Sequence, residues 1–193
     1  MIRISTTNRE LAIKNFSNSF FIHLLEGCVT TDKLVFICIG TPLIPGDSLG
    51  PMIGDSLKRY SMRNVSIYGT KEEPIHALNL KERLSEIKKK HPDAFFIAID
   101  ASFGTRIHLG NICIHHGPLF PGAGVKKELP PIGNLSITGI VCANGPFRNK
   151  RLERTSLKKI ASQADIISLG IFQAILTLAV SERRIPCSLS DAK

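Results

Sequence analysis

The sequence predicts an α/β protein of three layers, a mostly parallel, twisted sheet with helices on both faces. Residues 34–39 (LVFICI) and 94–99 (AFFIAI) are continuous apolar runs rich in strand-favouring residues, the pattern of strands buried on both faces. Between them apolar residues recur twice at helical spacing, around a short strand-like run at 65–68. That alternation of strand, helix, strand, helix, strand calls for parallel strands joined by right-handed crossovers.

Taken in order, residues 1–33 read as a polar leader with one amphipathic helix, carrying Ile13, Phe16, Phe20 and Leu24 at steps of three and four. The sequence leaves open whether this segment packs on the sheet or detaches. After the strand at 34–39 comes a loop, 40–46, broken by Pro42, Pro45 and two glycines. Asp47 and Ser48 then precede Leu49, Met52, Ile53 and Leu57 at helical spacing. Asp or Ser there is a good N-cap, and Pro51 is tolerated in a first turn because its missing N–H would have no partner. A loop at 69–74 leads to a second helix marked by Ala77, Leu80, Leu84 and Ile87. Lys88, Lys89 and Lys90 suit its negative end, and His91-Pro92 stops it.

The run at 94–99 ends at Asp100. Residues 109–115 and 135–143 look like strands joined by a loop full of Pro and Gly, and Leu152, Leu157, Ile160 and Ala164 mark a further helix. Residues 164–180 are nearly all apolar, at the lower limit of a membrane span; a helix buried against the sheet is the expected reading. Residues 181–193 read as a polar tail. No internal repeat or second-domain boundary is evident, so residues 1–193 are expected to form a single α/β domain.

Composition narrows the function classes. The formal net charge is +9, but the basic residues are dispersed, Trp is absent and only two Tyr are present. A stacking platform for bases is therefore poorly supported, and nucleic acid is not the expected partner. Five cysteines, an odd number and none in a C-x-x-C pair, argue against a disulfide framework or a zinc site. Cys38, Cys113 and Cys142 fall in apolar runs and read as reduced core residues of a cytoplasmic protein. No secretory signal is evident, since the apolar run at 20–25 is short and contains His23. No membrane association is expected, and homo-oligomerisation stays open.

The glycine-rich loop fails two phosphate-binding patterns. Gly40, Gly46 and Gly50 are too widely spaced for a dinucleotide fingerprint, and Gly46 is followed by Asp47 where a Walker-type loop needs Lys. Residues 46–49 spell GDSL, the nucleophile motif of an esterase class that also needs a late histidine base. None of the six histidines follows His116, and a serine without a base is a weak nucleophile. What remains is a pair of carboxylates, Asp47 and Asp100, at carboxyl ends of strands that a doubly wound sheet makes neighbours. At close range they would share a proton and activate water, or ligate a divalent metal with a histidine. The plainer alternative is a helix cap and a turn residue.

The segments CIGTPLIPGDSLGPMIG, IAIDASFG, GPLFPGAGVKKELPPIGNLSITGIV and ADIISLGI resemble the YyaC family of sporulation proteins. That family is in turn similar to the spore germination protease and, more distantly, to the hydrogenase maturation endopeptidases. The resemblance implies a phosphorylase/hydrolase-like α/β fold. It implies a peptidase of sporulating cells with Asp47 and Asp100 as catalytic residues, acting on peptides or proteins, small acid-soluble spore proteins among them. Gly46, Ser48 and Ser102, beside the two acids, are the candidate substrate contacts. No cofactor is required; in the metal-assisted version a divalent ion would be held by Asp47, Asp100 and His76, which follows GTKEEP on the same sheet edge. A catalytically silent spore binding or regulatory protein on the same scaffold is the alternative. Where the family pattern calls for a GIVN-like stretch, this chain has Gly139-Ile140-Val141-Cys142, followed by the polar NGPFRNKR.

Overall fold

The computed structural model describes residues 1–27, 29–121 and 129–184. Its strands are β1 (Ile2–Ile4), β2 (Leu34–Cys38), β3 (Ser66–Tyr68), β4 (Phe95–Gly104), β5 (Ile112–His116) and β6 (Leu135–Ala143). The helices are α1 (Arg9–Glu26), α2 (Leu49–Arg59), α3 (Leu80–Lys90), α4 (Arg148–Glu153) and α5 (Leu157–Arg184). One sheet holds all six strands in the order β1-β5-β6-β4-β2-β3. β3, β2, β4 and β6 run parallel, and β5 is antiparallel to both of its neighbours. The α/β class, the mostly parallel sheet and helices on both faces are as the sequence predicts.

The two faces follow from the strand alternation. Leu34, Phe36 and Cys38 of β2, with Ile97 and Ile99 of β4, pack with α1, α2 and α5. Val35, Ile37 and Ile39, with Phe96 and Ala98, pack instead with Leu80, Leu84 and Ile87 of α3. The chain leaves β2 for β3 on one side through α2, then crosses back over β2 to β4 through α3. Two right-handed crossovers in opposite directions put their helices on opposite faces. The point where direction reverses lies between β2 and β4, where open α/β sheets bind ligands.

The N-terminal segment is part of this structure. Ile2–Ile4 pairs with β5, and the side chain of Asn8 accepts the Leu11 N–H at 3.0 Å to cap α1. Ile13, Phe16, Phe20 and Leu24 are buried, and a Cβ on Gly170 of α5 would lie 2.4 Å from the Phe16 ring. α1 and α5 therefore pack closely.

Several boundaries depart from the sequence reading. β4 does not stop at Asp100 but runs to Gly104, because β6 continues to pair with it from Asp100↔Thr138 to Gly104↔Ala143. Leu152 belongs to the short α4, and α5 starts separately at Leu157 and continues unbroken through the apolar stretch. By length and composition α5 is apolar enough to cross a membrane. Ile160, Ala164, Ile167, Ile171, Ala174 and Leu178 nonetheless lie in the core on the α1/α2 face of the sheet. Cys38, Cys113 and Cys142 are buried and unpaired. The middle of the Pro/Gly loop, 122–128, and the tail from 185 lie outside the described residues.

Because Phe20 is fully buried while Leu25 on the same helix is half exposed, their truncations should separate. Phe20→Ala is expected to destabilise by about 3–5 kcal/mol. Leu25→Ala should stay within about 0.5 kcal/mol in urea unfolding. Equal small effects would mean that α1 is not part of the cooperative core.

Candidate active site

β2 ends before its neighbour. Ile39 N–H donates to the Ile99 carbonyl at 2.7 Å, and Gly40 N–H to Ile75 at 2.8 Å. There the chain turns away. Gly40 has φ of 137°, and a Cβ on it would lie 2.0 Å from the carbonyl oxygen of Asp47, so only glycine fits. The loop that follows is closed by the Thr41 N–H, which donates both to the Asp47 carbonyl at 3.1 Å and to its carboxylate at 3.0 Å.

This contact corrects the expected capping role. Asp47 sits in a single 3₁₀ turn, Pro45–Asp47, and its carboxylate reaches back to Thr41 rather than forward to α2. Ser48 stands at the cap position but makes no side-chain cap bond; its buried hydroxyl donates to Pro45 at 2.7 Å. Gly46 is buried as well, and a Cβ there would lie 2.7 Å from the Leu152 side chain of α4. Gly46 and Ser48 thus shape the loop without lining the cleft it borders.

That cleft, of about 470 Å³, opens at the carboxyl edge of β2 and is lined by Asp47, Asp100, His76 and Ser102. Asp100 reaches it from within β4, on the face occupied by α3, because β2 has already ended at that level. One Asp100 oxygen accepts the Ala101 N–H at 2.7 Å. His76 lies in the turn before α3, not in its first turn. Asn79 pins that turn by accepting the His76 N–H at 2.9 Å and donating to Pro74 at 2.9 Å. Ser102 donates to Gly139 on β6 at 3.2 Å. His115 and His116 pair with Ser136 and Leu135 at the start of β6, the opposite edge of the sheet, and His108 bonds Arg3 and Thr105.

Electrostatics ties the two acids together. Burial pushes Asp47 up to about 6, against the downward pull of the Thr41 N–H and of the charge on His76. Burial raises Asp100 well above the usual carboxylate range, and the negative charge of Asp47 raises it further. An ionised Asp47 thus favours the neutral form of Asp100. Two carboxyls and an imidazole are a fitting donor set for a divalent ion. Among the described residues, no three His, Cys, Asp or Glu side chains are gathered closely enough to form a ligand cluster.

Sequence reasoning missed one wall. α4 brings Arg148, Asn149 and Leu152 to the cleft, and Arg148 lies 5.1 Å from the centre of the Phe103 ring. The signal was present in the basic run RNKR, whose place on the sheet edge depends on β6 ending directly above the cleft.

Comparison with known proteins agrees with the segments noted above. The chain is 41% identical over 138 residues to a protein of Bacillus subtilis strain 168 named uncharacterized protein YyaC, covering 72% of this chain and 67% of the relative. A family described as protein of unknown function, DUF1256, matches residues 4–170. This chain is a member of the DUF1256 family.

Proposed function

We propose that the protein is a peptidase of the sporulating-cell cytoplasm in which Asp47 and Asp100 hydrolyse peptide bonds. The observation that supports this most is the pairing, in one cleft, of two carboxyls whose affinities for protons are both raised and unequal. Environments that separate two titrating acids assign them to opposite tasks. Asp47, the weaker proton holder, takes a proton from water as that water attacks the carbonyl carbon. Asp100, which keeps its proton, donates it to the departing amine nitrogen, and the two exchange states as products leave. A divalent ion held by Asp47, Asp100 and His76 would supply Lewis-acid polarisation of the carbonyl.

The same shifts give stability a pH dependence. Folding raises the pKa of both acids, so above the ordinary aspartate value the folded state holds more protons than the unfolded one. Stability contributed by these groups is complete below the unfolded value of 3.8 and falls as pH rises through the folded values, from about 6 upward. An asparagine at either place carries no such penalty.

Purified protein incubated with small acid-soluble spore proteins should yield fragments, visible by mass spectrometry. Asp47→Asn and Asp100→Asn should each reduce the rate by about a hundredfold or more. Fragments formed at the wild-type rate by both variants would refute the dyad, and no fragments from any protein substrate would favour a silent binding protein. Loss of activity with EDTA and its recovery with a divalent salt would select the metal-assisted version. The rate should have an acid limb near pH 6, moved upward in His76→Ala because the positive neighbour that helps Asp47 ionise is gone. In thermal unfolding at about pH 8, Asp100→Asn should be more stable than wild type by on the order of 1–3 kcal/mol, with the gain vanishing near pH 3. An unchanged melting temperature at high pH would show that the carboxyls are not strained.

A further inference from the structure

β4 outruns β2 along the cleft. The last register pair between them is Cys38↔Ile99, after which β4 continues to Gly104 paired only with β6. The backbone groups of successive strand residues face alternate neighbours. The Ile99 carbonyl faces β2, where it accepts the Ile39 N–H, while the Gly104 carbonyl faces β6, where it accepts from Asn144 at 2.7 Å. By alternation Ala101 and Phe103 point to the side that β2 has vacated. The Ala101 N–H is taken by Asp100. The Ala101 carbonyl and both backbone groups of Phe103 face no strand among the described residues. Ala101, Ser102 and Phe103 are all half-buried and line the cleft, so this short strand edge is open beside the two aspartates.

The surroundings indicate what would cover it. Each of four loops that border the cleft exposes one large apolar side chain: Leu43 at 88%, Leu78 at 84%, Phe120 at 75% and Phe147 at 73%. Phe147 does so in a left-handed conformation, φ 59°, which a bulky residue adopts only when its surroundings impose it. A set of isolated apolar tips around a polar centre suits a chain with side chains on both sides, more than a small polar metabolite. Of the charged residues of α4, Arg148 and Glu153 line the cleft, one of each sign.

We propose that the cleft takes its substrate as an extended polypeptide segment laid along the free edge of β4 at residues 101–103, with its apolar side chains on the loop tips. This deepens the peptidase reading, on which the choice of a polypeptide rests. Strand addition fixes the chain through backbone hydrogen bonds and presents one peptide group to the acids. Specificity then comes from every second side chain.

The test uses a fluorescein-labelled ten-residue peptide alternating Val and Glu around a central Leu, bound to the full-length Asp47→Asn protein and followed by anisotropy. Two further peptides carry N-methyl groups on alternate residues, in one case on the odd positions and in the other on the even. Only one set of amides can face β4, so one methylated peptide should bind roughly tenfold more weakly while the other stays within about twofold of the parent. Leu78→Ser and Phe120→Ser should each weaken the parent several-fold. Equal loss for both methylated peptides, no loss for either, or no binding of the parent would overturn strand docking. Wild-type protein mixed with the parent peptide and analysed by mass spectrometry reads hydrolysis separately. Binding with the expected register but without cleavage would sink the peptidase reading and keep the docking mode.

Discussion

The early end of β2 is the constraint on which the rest of the architecture turns. Had β2 matched β4 in length, the backbone beyond Cys38 would fill the cleft that Asp47, Asp100 and His76 now line. Instead Gly40 bends the chain so sharply that a Cβ on it would collide with the Asp47 carbonyl, and one backbone N–H from Thr41 closes the loop. A strand that stops five residues short of β4 turns a packed sheet edge into a recess. The side chain of Asp100 opens into that recess although its residue belongs to the interior of a strand.

Placing two acids there works against folding. Each is drawn out of water, and the negative charge of Asp47 adds to burial in opposing the ionisation of Asp100. The remainder of the chain offsets this with an apolar core on both faces of the sheet. Functional sites are commonly the places where local rules are broken and stability is given up.

The sequence made the central layers legible because residues 34–39 and 94–99 are uninterrupted apolar runs, and only strands buried on both faces need them. It also made the meeting of Asp47 and Asp100 legible, since the alternation of elements fixes a reversal between their strands. Other features carried too little pattern. Ile2–Ile4 is a three-residue edge strand whose first two residues are both exposed, so no alternation marks it. The second half of β4 is half-exposed at every position, being covered on one edge only, and its composition resembles a loop. The capping role expected for Asp47 failed because Thr41 competes for its carboxylate, a contact that depends on how the loop closes. Ser48 and Gly46 adjoin Asp47 in sequence but stay outside the cleft lining, because neighbouring residues of a tight turn face different ways.

The contact between α1 and α5 has a consequence for how the protein is made. Phe16 and Phe20, near the beginning of the polypeptide, are sealed against a helix that begins at Leu157, and β1 finds its partner only at Ile112. On the ribosome the first helix emerges long before the last, with its aromatic face uncovered. Folding from the N-terminus alone cannot finish, and the interval before α5 is translated is when this chain is most exposed to aggregation or chaperone capture.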